Sequence, residues 1–134
     1  MTEFRLVYYS RNLIQEDTLA QAVDTILQAS RRNNHLVGVT GALMFSRGHF
    51  AQVLEGDQAA IESTFERIQQ DTRHGEVHLL DFSPAPERQF RNWSMAFVGL
   101  GDDPSFGAAA RSGFDPRTLD GQQLFDRLLD LLNE

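Results

Sequence analysis

The chain has 134 residues and a mass of 15.1 kDa, one domain's worth and enough to bury a core. With 19 acidic and 12 basic residues its formal net charge is -7, which argues against a nucleic-acid backbone or an anionic membrane surface as the main partner. It has no cysteine and no lysine, which excludes disulfides, thiolate nucleophiles, Cys-held zinc or iron–sulfur clusters, Schiff-base lysines and phosphate-loop lysines.

The opening residues Met1-Thr2-Glu3-Phe4-Arg5 do not read as a signal peptide, and no apolar run approaches the ~20 residues needed to cross a bilayer. A cytoplasmic location is the expectation. Phe4 to Ser10 predicts a strand with Phe4, Leu6 and Tyr8 on one face and Arg5, Val7 and Tyr9 on the other. A helix is predicted from Thr18 to Asn33, with Thr18 and Gln21 as a capping box, Leu19, Ala22, Val23, Ile26 and Ser30 on one stripe, and Asn33-Asn34 closing it. Two strands follow, Val37 to Phe45 and His49 to Glu55, joined by a tight hairpin at Ser46-Arg47-Gly48. Gly41, inside the first of these, marks a bulge or a close approach to the backbone.

A second helix is expected from an Asp57 cap to Asp71, with Ile61, Phe65 and Ile68 as its apolar stripe. Strands are predicted at Glu76 to Phe82 and, beyond Pro84 and Pro86, around Trp93 to Leu100. From Gly101 the composition turns to Gly, Ala, Ser and Asp, as in a linker. Asp115-Pro116 suits a capped turn, and Asp120 opens a last helix striped by Leu124, Phe125, Leu128, Leu129 and Leu132. The acidic tail needs a surface to cover, on this domain or on another chain. The order of elements predicts an α+β, ferredoxin-like sandwich: one mixed five-stranded sheet, two helices on one face, and a C-terminal helical extension. The expected division is a domain over residues 1–100 and a linker with helical extension over 101–134.

Simple hydrolase chemistry has little support. There is no G-x-S-x-G elbow, no phosphate-cradling glycine loop, and no helical zinc pattern, since His74 and His78 flank Gly75 on a strand start. No metal site is expected. More telling are polar side chains on apolar faces: Tyr8 beside Phe4 and Leu6, Gln52 beside Phe50 and Leu54, Met95 between Trp93 and Phe97. A buried Gln amide without partners costs on the order of 1–3 kcal/mol, so Gln52 must bond something, and an internal Tyr8–Gln52 pair would be enough. Asn34 offers a donor and an acceptor side by side, a match for a uracil-like edge, but equally a helix cap. Arg31-Arg32 and Arg73-His74 suit either a phosphate or a helix C-terminus.

Taken together the segments Arg5-Leu6-Val7-Tyr8-Tyr9-Ser10, Arg32-Asn33-Asn34, Gly38-Val39-Thr40-Gly41-Ala42-Leu43 and His49-Phe50-Ala51-Gln52-Val53-Leu54-Glu55-Gly56 resemble the BLUF domain, a flavin-binding blue-light sensor. So do Arg67-Ile68-Gln69-Gln70-Asp71, Arg73-His74, Arg88-Gln89-Phe90 and Trp93-Ser94-Met95, and the tail resembles the helical extension of short, single-domain members. The resemblance implies a non-covalently bound flavin, FAD or FMN, between the two helices. Ile26 and Ile68 would sandwich its ring and Asn34 would bind its pyrimidine edge. Arg73, His74, Arg32, Ser30 and Asn33 would complete the contacts. Tyr8 would be the photoactive tyrosine, Gln52 the glutamine that rearranges, and Trp93 and Met95 the pair competing for the place beside it. It further implies no enzymatic output and signalling to a protein partner or through a homo-oligomer. Two other readings stay open: a non-photoactive interaction module of the same fold, and a small enzyme, either flavin-binding or an acylphosphatase-like hydrolase using Ser10-Arg11-Asn12.

Overall fold

A computed structural model of the chain describes residues 3–91, 95–99 and 115–132. Strand β1 (Glu3–Asn12) leads through a 3-10 turn at Glu16–Thr18 into helix α1 (Leu19–Val37). The hairpin β2 (Thr40–Ser46) and β3 (His49–Gly56) comes next, then α2 (Gln58–Gln69), β4 (His74–Ala85) and β5 (Ala96–Gly99). A second 3-10 turn, Pro116–Thr118, precedes α3 (Gly121–Leu132). One five-stranded sheet has the order β4-β1-β3-β2-β5, antiparallel throughout except that β5 runs parallel to β2. This is the expected mixed sheet.

Strand alternation sorts the side chains into two cores. On one face Leu6, Tyr8, Leu43, Phe45, Phe50 and Leu54 pack under α1 (Leu19, Val23, Leu27) and α2 (Ile61, Phe65). On the other, Val7, Ala42, Met44, Ala51 and Val53 are covered by Leu124, Phe125 and Leu128 of α3. The α3 part of the acidic tail therefore covers this domain's own sheet. Strands β2 and β3, buried on both faces from Gly41 to Ser46 and Phe50 to Gly56, read as near-continuous apolar runs for that reason.

Several expected boundaries move. Helix α1 does not stop at the asparagines but runs to Val37, so β2 starts at Thr40 rather than Val37. What ends the helix is Gly38 at φ 72, where the Gly38 N–H donates to the His35 carbonyl and the Val39 N–H, at 2.9 Å, to the Asn34 carbonyl. This paired arrangement needs a left-handed residue, which glycine supplies without strain. The Thr18 capping box does not form, because the Thr18 hydroxyl donates instead to the Gln15 carbonyl at 3.3 Å within the preceding turn. Strand β4 extends past the expected ends to His74 and Ala85, with the proline at 84 tolerated on an edge strand.

Other expectations hold. Asp57 caps α2 by accepting from the Ala59 N–H at 3.2 Å, Asp115 caps the Pro116 turn, and Asp120 and Gln123 close a reciprocal capping box at the start of α3. Gly41 is a close approach: a Cβ there would lie 2.0 Å from the Val53 carbonyl oxygen. Residues 93, 94 and 100 of the predicted last strand, residue 92 before it, and the linker 101–114 lie outside the described residues.

Candidate functional site

Between α1, α2 and the sheet lies a cleft of about 160 Å3. One water occupies about 30 Å3, so this is several waters' worth of space and not a packing defect. Helical periodicity builds two of its walls. From α1 come Ile26, Ala29, Ser30, Asn33 and Asn34, spaced i, i+3, i+4, i+7, i+8. From α2 and its exit come Thr64, Arg67, Ile68 and Asp71. Alternation builds the floor from Tyr8, Leu43, Phe50 and Gln52.

Register places the central pair. In the antiparallel β1–β3 ladder Tyr8 stands directly opposite Gln52, and the Tyr8 hydroxyl donates to Gln52 Oε1. The amide's other end donates from Nε2 to Met95 Sδ at 3.4 Å. All three side chains are buried. Burial pushes the Tyr8 phenol far above its ordinary value, and the Asp71 carboxylate pushes in the same direction, so the phenol stays protonated. The Phe65 ring lies 5.3 Å from the Tyr8 ring. Tyr9 points to the other face, stacked on His78 at 4.7 Å, so it is Tyr8, as expected from the strand alternation, that faces the cleft.

At the exit of α2, Arg73 grips Asp71 through Nε, at 2.9 and 3.1 Å, and through its backbone N–H at 2.9 Å. That hydrogen bonding holds the Asp71 carboxyl below its ordinary range. His74 touches Ser10 Oγ through Nδ1 at 2.6 Å and the Ile68 carbonyl through Nε2 at 2.7 Å. A carbonyl only accepts, so Nε2 carries the proton and Nδ1 accepts from Ser10 when the ring is neutral. With both nitrogens engaged, what His74 offers the cleft is ring surface.

Of the residues singled out in the sequence, Tyr8, Gln52, Ile26, Ile68, Ser30, Asn33, Asn34, Arg73 and His74 come together here. Met95 joins them through Gln52. Arg32 lies apart, exposed on α1 and off the wall, because the stripe through Ser30, Asn33 and Asn34 turns it outward. Trp93 lies outside the described residues. A bulge at Glu76, φ 49, separates His74 from His78, which face opposite sides of the sheet. Thr64, Arg67 and Asp71 were missed. Thr64 and Arg67 lie three residues apart on α2 beside the apolar Ile61-Phe65-Ile68 stripe, a spacing that signals a shared face, whereas Asp71 lies past the end of the helix.

The donor set fits a flavin. Two aliphatic walls, Ile26 and Ile68, suit a flat ring, and buried amides at Gln52 and Asn34 supply paired donors and acceptors for its polar edge. The model of the BLUF family, described as sensors of blue-light using FAD, matches residues 4–96. The chain belongs to the BLUF family. It is 32% identical over 95 residues to the blue light- and temperature-regulated antirepressor BluF of Escherichia coli (strain K12), covering 71% of this chain and 23% of that protein. It is 31% identical over 91 residues to photoactivated adenylate cyclase subunit beta of Euglena longa, covering 68% of this chain and 11% of that protein. The chain thus spans less than a quarter of either relative. A solved structure of BlsA in its photo-activated state superposes with TM-score 0.83 at 33% identity, covering 98% of this chain and 96% of that one. BLUF domains bind FAD or FMN, and the residues lining this cleft fit such a group.

Proposed function

We propose that this BLUF chain senses blue light through Tyr8, Gln52 and Met95 and reports it through β5 and α3 to a partner protein or a second copy of itself. The observation that carries this reading is the buried relay in which Tyr8 donates to Gln52 Oε1 while Gln52 Nε2 donates to Met95 Sδ. An amide held at both ends is a two-state element: rotation exchanges its donor and acceptor. FAD, or FMN, when bound supplies a light-excited oxidant. Tyr8 would be the one-electron donor to that oxidant, and its phenolic proton would follow along the bond to Gln52, toward the same acceptor. The Gln52 amide would rotate or tautomerise before electron and proton go back from that acceptor to Tyr8, so that nothing is oxidised or reduced overall. No covalent bond forms, so the only lasting change is in the hydrogen bonds of Gln52. Ile26 and Ile68 hold the ring, Asn34 reads its pyrimidine edge, and Ser30, Asn33, Arg73 and His74 line the approach.

The reading gives the chain no reaction of its own, a 1–100 sensing unit, a 101–134 output extension and a cytoplasmic location. No helix of the described residues is long and apolar enough to cross a membrane.

The test is the absorption spectrum of the purified protein in the dark and under blue light. A flavin band that moves slightly to the red without bleaching, and returns in the dark, is expected. Tyr8→Phe should keep the flavin and lose the shift, since Phe has no proton to give; a full shift in that variant rules out the role given to Tyr8.

A further inference from the structure

The connection between β4 and β5 is fastened at both described ends by charged side chains from other elements. At the start, Glu55 of β3, 1% exposed, accepts from the Gln89 N–H at 2.9 Å and from the Phe90 N–H at 2.8 Å. At the end, Arg31 of α1 reaches across to donate its Nε–H to the Met95 carbonyl at 2.9 Å. Both are charge-assisted bonds, the strong kind. Met95 is therefore held twice, by its main chain to α1 and by its sulfur to Gln52. Neither Arg31 nor Glu55 lines the cleft. Arg31, which the sequence pairs with Arg32 as a candidate phosphate contact, spends its Nε–H on the connection instead.

On the sensor reading proposed above, we infer that Arg31 is a positioning residue that keeps Met95 seated beside Gln52, with Glu55 fastening the other end of the same connection. Once the Gln52 amide has rotated, its return requires the Met95 sulfur to be in place as the acceptor for Nε2. While the Met95 main chain stays tied to α1, that partner does not wander and the return path is short. Cutting the tie leaves Met95 seated for a smaller fraction of the time, and dark recovery slows accordingly. Losing one charge-assisted hydrogen bond corresponds to about a tenfold slowing if its worth is expressed in the barrier.

The experiment measures dark recovery after a blue pulse in the full chain loaded with FAD. Arg31→Ala should bind FAD, show the parental red shift, and recover about tenfold more slowly. Arg31→Lys should restore much of the rate, because an ammonium can donate to the same carbonyl. Glu55→Gln puts an amide N–H against two backbone donors and should also slow recovery. Combined with Arg31→Ala it should slow recovery by less than the product of the two, because both act on one connection. Parental recovery in Arg31→Ala overturns the role of Arg31 and leaves the sensor reading standing. Weaker FAD binding with unchanged recovery also overturns it, in favour of a phosphate contact. Absence of any light-induced shift in the parent protein overturns the sensor reading and this positioning role with it.

Discussion

At the scale of single residues the cleft is a set of opposed charge preferences. Tyr8 is kept neutral first by burial and then by the Asp71 carboxylate, while Asp71 is kept ionised by Arg73. The two shifts have opposite consequences with pH. A phenol whose value in the fold is raised stabilises the fold fully below its ordinary 10.0 and loses that contribution as pH rises beyond it, because only the unfolded chain then ionises. A carboxyl whose value is lowered contributes above its ordinary 3.8 and loses that contribution as pH falls through the depressed value. On the role proposed for Tyr8, the light-induced shift should therefore keep its amplitude as pH is raised to 10.0, in protein still folded by circular dichroism, because the phenol retains its proton there. An amplitude that declines along the ordinary phenol titration would place a different donor in the site. Flavin retention, followed by fluorescence, should weaken only below pH 3.8, where Asp71 begins to release Arg73. Tyr8 and Gln52 were legible in the sequence because strand alternation put a polar group among apolar ones. Asp71 was not, since an acid after a helix is ordinarily solvated and its contact with Arg73 is made by a turn.

At the scale of elements, type and order were legible, and ends only where a capping side chain marks them, as at Asp57 and Asp120. The hairpin, both sheet-covering helices and the α3 stripe each rest on a periodicity that nothing nearby contradicts. Helix α1 overruns its expected end because nothing before Gly38 stops it: Asn33 and Asn34, poor helix formers, lie within the helix. There Asn34 is buried at 2% exposure, and its carbonyl is taken by the Gly38 terminator motif. The helix thus delivers Asn34 to the cleft instead of ending on it. Gly41 shows the reverse, a single residue that reports a tertiary fact: β2 and β3 approach so closely that a methyl would overlap the Val53 carbonyl at 2.0 Å. Gly41→Ala should lower stability by about 3 kcal/mol, read as a shift in denaturant midpoint, because backbone on both sides cannot give way as a side chain can. A midpoint within error of the parent would mean that the strands part easily there.

At the scale of the molecule, α3 covers the sheet face opposite the cleft, which offers a change at Gln52 a way out of the site. Strand β3 presents Gln52 to the cleft and Val53 to the opposite core, where α3 lies. Met95 sits in the cleft-side core and its neighbour Ala96 in the α3-side core. The start of β5 is therefore one residue away from both faces, and a shift of Met95 cannot avoid moving Ala96. On the α3 side the apolar contacts are compact: Phe90 meets the Phe125 ring edge-on at 5.6 Å, and the Arg5 guanidinium lies 3.7 Å over that ring. A helix of 12 residues is marginal alone, so α3 holds its shape largely through this packing. Weakening the packing should shift the helix toward release without touching the photochemistry. Leu128→Ala removes a fully buried side chain and should cost about 2–5 kcal/mol. The flavin shift should stay parental while amide exchange across 121–132 rises in the dark toward its illuminated level. In the parent, illumination alone should raise exchange in α3, and Gln52→Ala should abolish that rise together with the shift. Equal exchange in light and dark in the parent would mean that α3 only covers the sheet, and that the signal leaves by another surface.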